Sequence, residues 1–173
     1  MKFFGAGLAG LLVLAACSPA FNWREVRPDG TRLSLLLPCK PDRAEKVVPL
    51  GGQATTLAML GCDAGGATFA VAVADVGDAA QAAPVLALWQ DLTLANMKAA
   101  PSSRRQLPLA IRGASAGIPV VRMLALGQRA DGSAVSGQAA YFAQGSQLFQ
   151  VVMYAPNIDA EAADTFFSSL KLE

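Results

Sequence analysis

Apolar and polar residues alternate along much of this chain, and the points where the period changes divide it into elements. Leu33, Leu35 and Leu37 fall on one face of a strand that ends at Pro38. Arg43 to Leu50 and Gln53 to Leu60 read as two extended runs joined at Gly51-Gly52, a dipeptide that readily takes the positive φ of a tight hairpin turn. Leu57 and Met59 alternate in the second run, and Ala67 to Ala74 repeats the pattern through Phe69, Val71 and Val73 until Asp75 to Asp78 ends it. The period then lengthens. Between Ala80 and Ala99, the residues Val85, Leu88, Trp89, Leu92 and Ala95 recur at three- and four-residue steps, which predicts an amphipathic helix. Pro84 is tolerated only in its first turn, so the helix starts near Ala82 or Ala83.

After Pro101 the chain returns to period two. A short strand over Leu107–Arg112 and a long one over Pro119–Gln128 precede Ala134–Ala143 and Gln147–Ala155. Asp131-Gly132 and Gly145-Ser146 punctuate the last three as hairpin turns, which predicts an antiparallel meander. A second helix closes the chain. Asp159 is placed to cap it, Glu161 lies in its electropositive first turn, and Ala162, Phe166 and Leu170 share one face. Strands, a helix, strands and a helix specify an α+β class, a mostly antiparallel sheet covered by two amphipathic helices.

The first seventeen residues follow another rule. Lys2 precedes a short apolar run from Phe3 to Val13, the arrangement of a secretory signal, and the run is too short to cross a bilayer. The quartet Leu14-Ala15-Ala16-Cys17 that follows resembles the lipobox of bacterial lipoproteins. That resemblance implies cleavage before Cys17, lipid on its sulfur, and a domain held in the periplasm against a membrane. Ser18, where the sorting pattern for inner-membrane retention has Asp, favours the outer membrane of a two-membrane bacterium. The expected organisation is a signal peptide over residues 1–16, a lipidated N-terminus and tether over 17–30 with Trp23 as its large anchor, and one domain over 31–173.

The remaining cysteines, Cys39 and Cys62, form an even pair, and a periplasmic address permits a disulfide. If Leu50 lies opposite Gln53, Cys62 falls opposite Pro41, two residues from Cys39, and a bulge or small register change near Pro38 and Pro41 would join the sulfurs. Closing that loop contributes roughly 3.5 kcal/mol on the chain-entropy argument. A redox-active role is the weaker alternative, because the two lack Cys-x-x-Cys spacing.

Composition narrows the chemistry. The 173 residues carry 14 basic and 13 acidic side chains and no histidine. Without imidazole, the chain lacks the common general base of hydrolases and the commonest metal ligand, and no cofactor or metal is expected. The near balance of charge gives no basic footprint for nucleic acid, and Arg104-Arg105 reads as part of a solvated loop. Gly51-Gly52 and Gly65-Gly66 lack the Lys and Ser/Thr of a phosphate loop, and Asp63 beside the second reads as a turn residue. Carboxylates are the only acid–base set. Asp75 and Asp78 leave a strand end together, with loop solvation and helix capping favoured over a hydrolytic pair. Trp89 reads as core before ligand platform.

The segments Leu33-Ser34-Leu35-Leu36-Leu37-Pro38-Cys39-Lys40-Pro41, Gln147-Leu148-Phe149-Gln150-Val151-Val152 and Phe166-Phe167-Ser168-Ser169-Leu170, with the mid-chain helix between, resemble the PsbP-like domain. The likeness implies an α/β sandwich over about residues 30 to 172 and carries no catalytic residue with it. Two functions are expected from these features. The first is a non-catalytic, membrane-anchored periplasmic lipoprotein that acts as a binding or accessory/assembly module, with a protein partner at the envelope. The alternative is a binder of a small envelope ligand or a carboxylate-based hydrolase built on Asp75, Asp78 and Trp89.

Overall fold

The computed structural model describes residues 20–173, so Cys17 and the signal-like run lie outside the described residues. The body is α+β, built on a seven-stranded antiparallel sheet. Its strands are β3 (Asp42–Leu50), β4 (Gln53–Ala64), β5 (Ala67–Asp75), β6 (Arg105–Pro108), β7 (Val121–Gln128), β8 (Ala134–Gln144) and β9 (Gln147–Ala155). In space they run β3-β4-β5-β9-β8-β7-β6, two meanders joined where β5 pairs with β9. A smaller antiparallel sheet places β2 (Leu33–Leu37) between β1 (Arg24–Val26) and β10 (Lys171–Leu172). Helix α1 (Ala82–Asn96) links β5 to the second meander, and α2 (Ala160–Ser168) follows β9.

Strand periodicity sorts the core into two layers on opposite faces of the large sheet. Phe69, Val71, Phe142, Phe149, Val151 and Met153 join Leu33, Leu35, Leu37 and the α2 residues Ala163, Phe166 and Phe167. The intervening residues Ala72, Ala74, Ala139, Tyr141, Leu148 and Val152 face the other way and pack with Val85, Leu86 and Trp89 of α1. A one-residue slip in any central strand would exchange these two sets, which is why the register is strongly specified.

Several expectations hold and several shift. The β3–β4 register pairs Leu50 with Gln53, as the turn required, and Gly51 and Gly52 both take positive φ (64° and 81°). Arg24–Val26, expected within the tether, forms a strand on β2, and Trp23 with Phe21 packs on Phe69 at centroid distances of 6.0 and 6.2 Å. Residues 21–26, expected in the tether, are therefore part of the packed body. The strand expected over Leu107–Arg112 lies earlier, at Arg105–Pro108, and Leu170 is buried beyond the end of α2.

The apolar stripe of α1 is turned from the expected one. Ala82, Leu86, Trp89, Thr93 and Met97 face the sheet, whereas Leu88 and Leu92 are 40% and 41% exposed and Ala95 is exposed. The helix is apolar almost all round, so periodicity alone does not select its inner face. α1 ends in a Schellman arrangement: Ala99 N–H donates to Leu94 O and Lys98 N–H to Ala95 O, each at 2.9 Å, with Lys98 in the left-handed region (φ 51°) that glycine usually occupies.

On the other face, α2 is capped as expected, with Ala162 N–H donating to Asp159 Oδ1 at 2.7 Å. Arg122 of β7 fastens it: the guanidinium lies 4.6 Å from the Phe167 ring centroid, and Nη1 sits 2.8 Å from Asp164 Oδ1. Arg122 Nε donates to Gln138 Oε1 at 2.6 Å.

Candidate functional site

Sequence-predicted site residues separate into distinct places. Cys39 and Cys62 are bonded, with Cα atoms 6.0 Å apart. The register is unchanged up to the Asp42–Gly61 pair, and a bend at Pro38-Cys39, after β2, supplies the approach. The bond ties the small sheet to the large one. Asp75 and Asp78 serve local backbone: Gly77 N–H donates to Asp75 Oδ1 and Ala80 N–H to Asp78 Oδ1, each at 2.9 Å. Asp78 caps the 3-10 turn Ala79–Gln81 that leads into α1. Asp75 lines a hollow of only about 70 Å³, and Asp78 does not reach it. Asp63 accepts from Thr68 Oγ1 at 2.6 Å, beside the Gly65-Gly66 turn. Arg104 follows a 3-10 turn and Arg105 opens β6, both exposed. Among the described residues, no group of three or more His, Cys, Asp or Glu is placed to hold a metal ion.

Trp89 alone of the expected set borders a large concavity. A cleft of about 720 Å³ lies between α1 and the sheet. It exists because of how α1 crosses the strands. The helix starts against the β3–β4 turn, where a Cβ on Gly51 would meet Val85 Cγ2 at 2.6 Å. It finishes over β7 and β8, where Gln128 N–H donates to Met97 O at 2.7 Å and a Cβ on Gly137 would meet Met97 Cε at 2.6 Å. A diagonal crossing leaves one corner of the sheet uncovered.

Apolar side chains wall this space. Val48, Leu50 and Leu57 line it from the β3–β4 hairpin, Trp89, Leu92 and Met97 from α1, and Val135 from β8. Thr68, Gln150 and Tyr154 line it from β5 and β9. Gln150 Nε2 donates to Thr93 Oγ1 at 2.8 Å and to the Tyr141 hydroxyl at 2.9 Å, and Thr93 Oγ1 donates to Trp89 O at 2.9 Å. This small network holds Trp89, α1 and the sheet in one geometry. Burial raises both phenols: Tyr141 strongly, and Tyr154 to about 12. Each is a neutral hydroxyl at neutral pH.

Arg129, in the β7–β8 turn, is the one charged side chain lining the cleft. It takes part in none of the ion pairs among the described residues. Sequence reading passed over Thr93, Gln150, Tyr154 and Arg129. The available signal was Gln150, the lone amide between Phe149 and Val151 in a buried strand, because a polar group there needs a partner.

No family model and no curated protein matches the chain. Solved structures are similar to it only at low identity and low TM-score. A protein from Bacteroides thetaiotaomicron VPI-5482 is similar at 13% identity with a TM-score of 0.44, covering 82% of this chain and 45% of that one. The Pseudomonas aeruginosa protein of unknown function PA94 is similar at 14% identity with a TM-score of 0.35, covering 77% of this chain and 82% of that one.

Proposed function

We propose that this chain is a non-catalytic binding module, held at the periplasmic face of an envelope membrane by lipid on Cys17, and that its ligand surface is the cleft beneath α1. The carrying observation is the cleft itself. Its volume of about 720 Å³ falls within the roughly 300–1,000 Å³ of small-molecule sites. Its walls are mostly apolar, with a few convergent polar groups.

Supporting the non-catalytic part, Asp75 and Asp78 are engaged as turn and cap acceptors, and Asp75 lines a hollow separate from the cleft that Trp89 borders. The anchor reading is supported by the Leu14-Ala15-Ala16-Cys17 quartet. The element order supports a PsbP-like sandwich, with α1 and α2 as its covers. Ser18, in place of the Asp of the retention pattern, supports an outer-membrane address.

Two measurements test this reading. An apolar fluorescent dye, N-phenyl-1-naphthylamine, is expected to bind once per chain, and Leu57→Trp, which fills the cleft, is expected to abolish that binding. Dye binding unaffected by Leu57→Trp would remove the cleft as the ligand surface. Cells fed an alkyne-tagged palmitate should label the wild-type chain and leave Cys17→Ser unlabelled; equal labelling of both refutes the anchor.

A further inference from the structure

We infer that the cleft takes the acyl chain of a membrane-derived amphiphile with an anionic head, admitted from the end of the body nearest the lipid. The inference rests on the binding reading above and adds to it a ligand class and a direction of entry.

The direction follows from strand register. Thr68 pairs with Tyr154, Tyr154 with Gly137, and Ser136 with Ala155, while Gln128 pairs with Ala134. The β4–β5 turn at Gly65-Gly66 and the β7–β8 turn carrying Arg129 therefore lie at the same end of the sheet. The start of the described chain is there too. Phe21 packs on that turn, where a Cβ on Gly65 would meet its ring at 2.5 Å. Cys17 lies three residues before Ala20, a reach of at most about 10 Å for extended backbone. Acyl chains on Cys17 thus bring this end of the body against the bilayer. Gln128, Arg129 and Tyr154 line the cleft at this same end, so it reaches the lipid-facing end of the sheet.

The ligand class follows from the lining. Of the strands that line it, β4, β5 and β9 have both edges paired, and β3, which contributes Val48, Pro49 and Leu50, is the edge strand of the sheet. Long aliphatic side chains, Val48, Leu57, Leu92, Met97 and Val135, complement a hydrocarbon chain along the cleft. Arg129 stands at the lipid-facing end as its sole charge. Its guanidinium, in no ion pair among the described residues although its charge also acts on Asp131 in the same turn, stands beside an apolar slot and complements a carboxylate or phosphate head.

The test uses the full-length, lipidated protein in nanodiscs of phosphatidylcholine, with a fatty acid bearing a diazirine at its chain end as the probe. Photolysis and peptide mass spectrometry are expected to place adducts on α1 between Trp89 and Met97 or on β9 between Gln150 and Tyr154. Leu57→Trp should lower the yield at least about tenfold, as should Leu92→Lys, whose exposed site leaves folding intact. Arg129→Glu should lower it roughly two- to tenfold for the fatty acid and leave a monoacylglycerol probe of equal chain length unchanged. Adducts confined to other surfaces, or yields that neither Leu57→Trp nor Leu92→Lys reduces, overturn the inference. Equal losses for both probes in Arg129→Glu overturn the anionic head. If the naphthylamine dye binds in the cleft and the acyl probe does not, the inference fails and the binding reading survives.

Discussion

The two faces of the large sheet are built from different residues. Toward α2 the strands present Phe69, Phe142 and Phe149, which meet Phe166 and Phe167; Phe69 and Phe166 stand edge to face at 5.2 Å, and Phe142 and Phe149 stack at 5.0 Å. Toward α1 they present Ala70, Ala72, Ala74, Ala125, Ala139 and Ala143 beside the larger Tyr141, Leu148 and Val152, with Gly127 and Gly137 admitting the end of the helix. Stacked and edge-to-face rings occupy much of one layer. Small residues on the other let α1 sit close at one corner and leave the cleft at another. The α2 face is predominantly aromatic, and the cleft lies on the α1 face.

Substitutions can break this contrast. Phe166→Ala, deep in the aromatic layer, should cost about 3–5 kcal/mol, read as a fall in urea midpoint at unchanged slope. Replacing the disulfide with Cys39→Ala and Cys62→Ala should cost roughly 3.5 kcal/mol, because its loop spans a sequence separation of 23 residues and joins the small sheet to the large. A loss below about 1 kcal/mol would show that the aromatic layer already holds the sheets together.

Raising pH tests the α1 face. Tyr141 and Tyr154 are the only tyrosines, and burial raises both. A phenol whose folded pKa exceeds its unfolded value stabilises fully below that unfolded value of 10.0 and loses its contribution as pH rises through the folded one. For Tyr154, at about 12, the loss by that pH is on the order of 2 kcal/mol. Phenolate absorbance should stay absent until well above pH 10 and then rise together with loss of helical circular dichroism. A normal tyrosine titration in the folded state would contradict the packing of this layer.

The smallest effects sharpen the comparison. Lys98→Gly, which relieves a left-handed lysine at the end of α1, should stabilise by roughly 0.5–1 kcal/mol. Leu92→Ser, on the cleft rim, should change stability by less than about 0.5 kcal/mol while weakening dye binding, separating function from folding on the same helix.

Much of this architecture was legible in the sequence because alternation, turns and caps are local signals. The long hairpins, the Asp159 cap and the Cys39–Cys62 pairing all follow from residues within a short span, or from one turn that sets a register. β1 and β10 were not legible. Three- and two-residue strands are too short to show a period, and each exists only because β2 offers an edge. The inner face of α1 was misjudged for the opposite reason, since apolar residues on nearly every side leave the choice to partners such as Gln150. The cleft was illegible because it is an absence of covering, produced by the crossing direction of a helix that no local pattern encodes.

The placement of β2 between β1 and β10 has a consequence for how the chain assembles. β10, Lys171–Leu172, completes from the far end of the polypeptide a sheet that Arg24–Val26 opens, and Glu173 Oε2 reaches Arg27 at 2.8 Å. The minor sheet therefore closes only after residues 24–172 are all available. Until then Leu33, Leu35 and Leu37 have no α2 to pack against, and a nascent body pausing in that interval would be open to holdase capture or proteolysis.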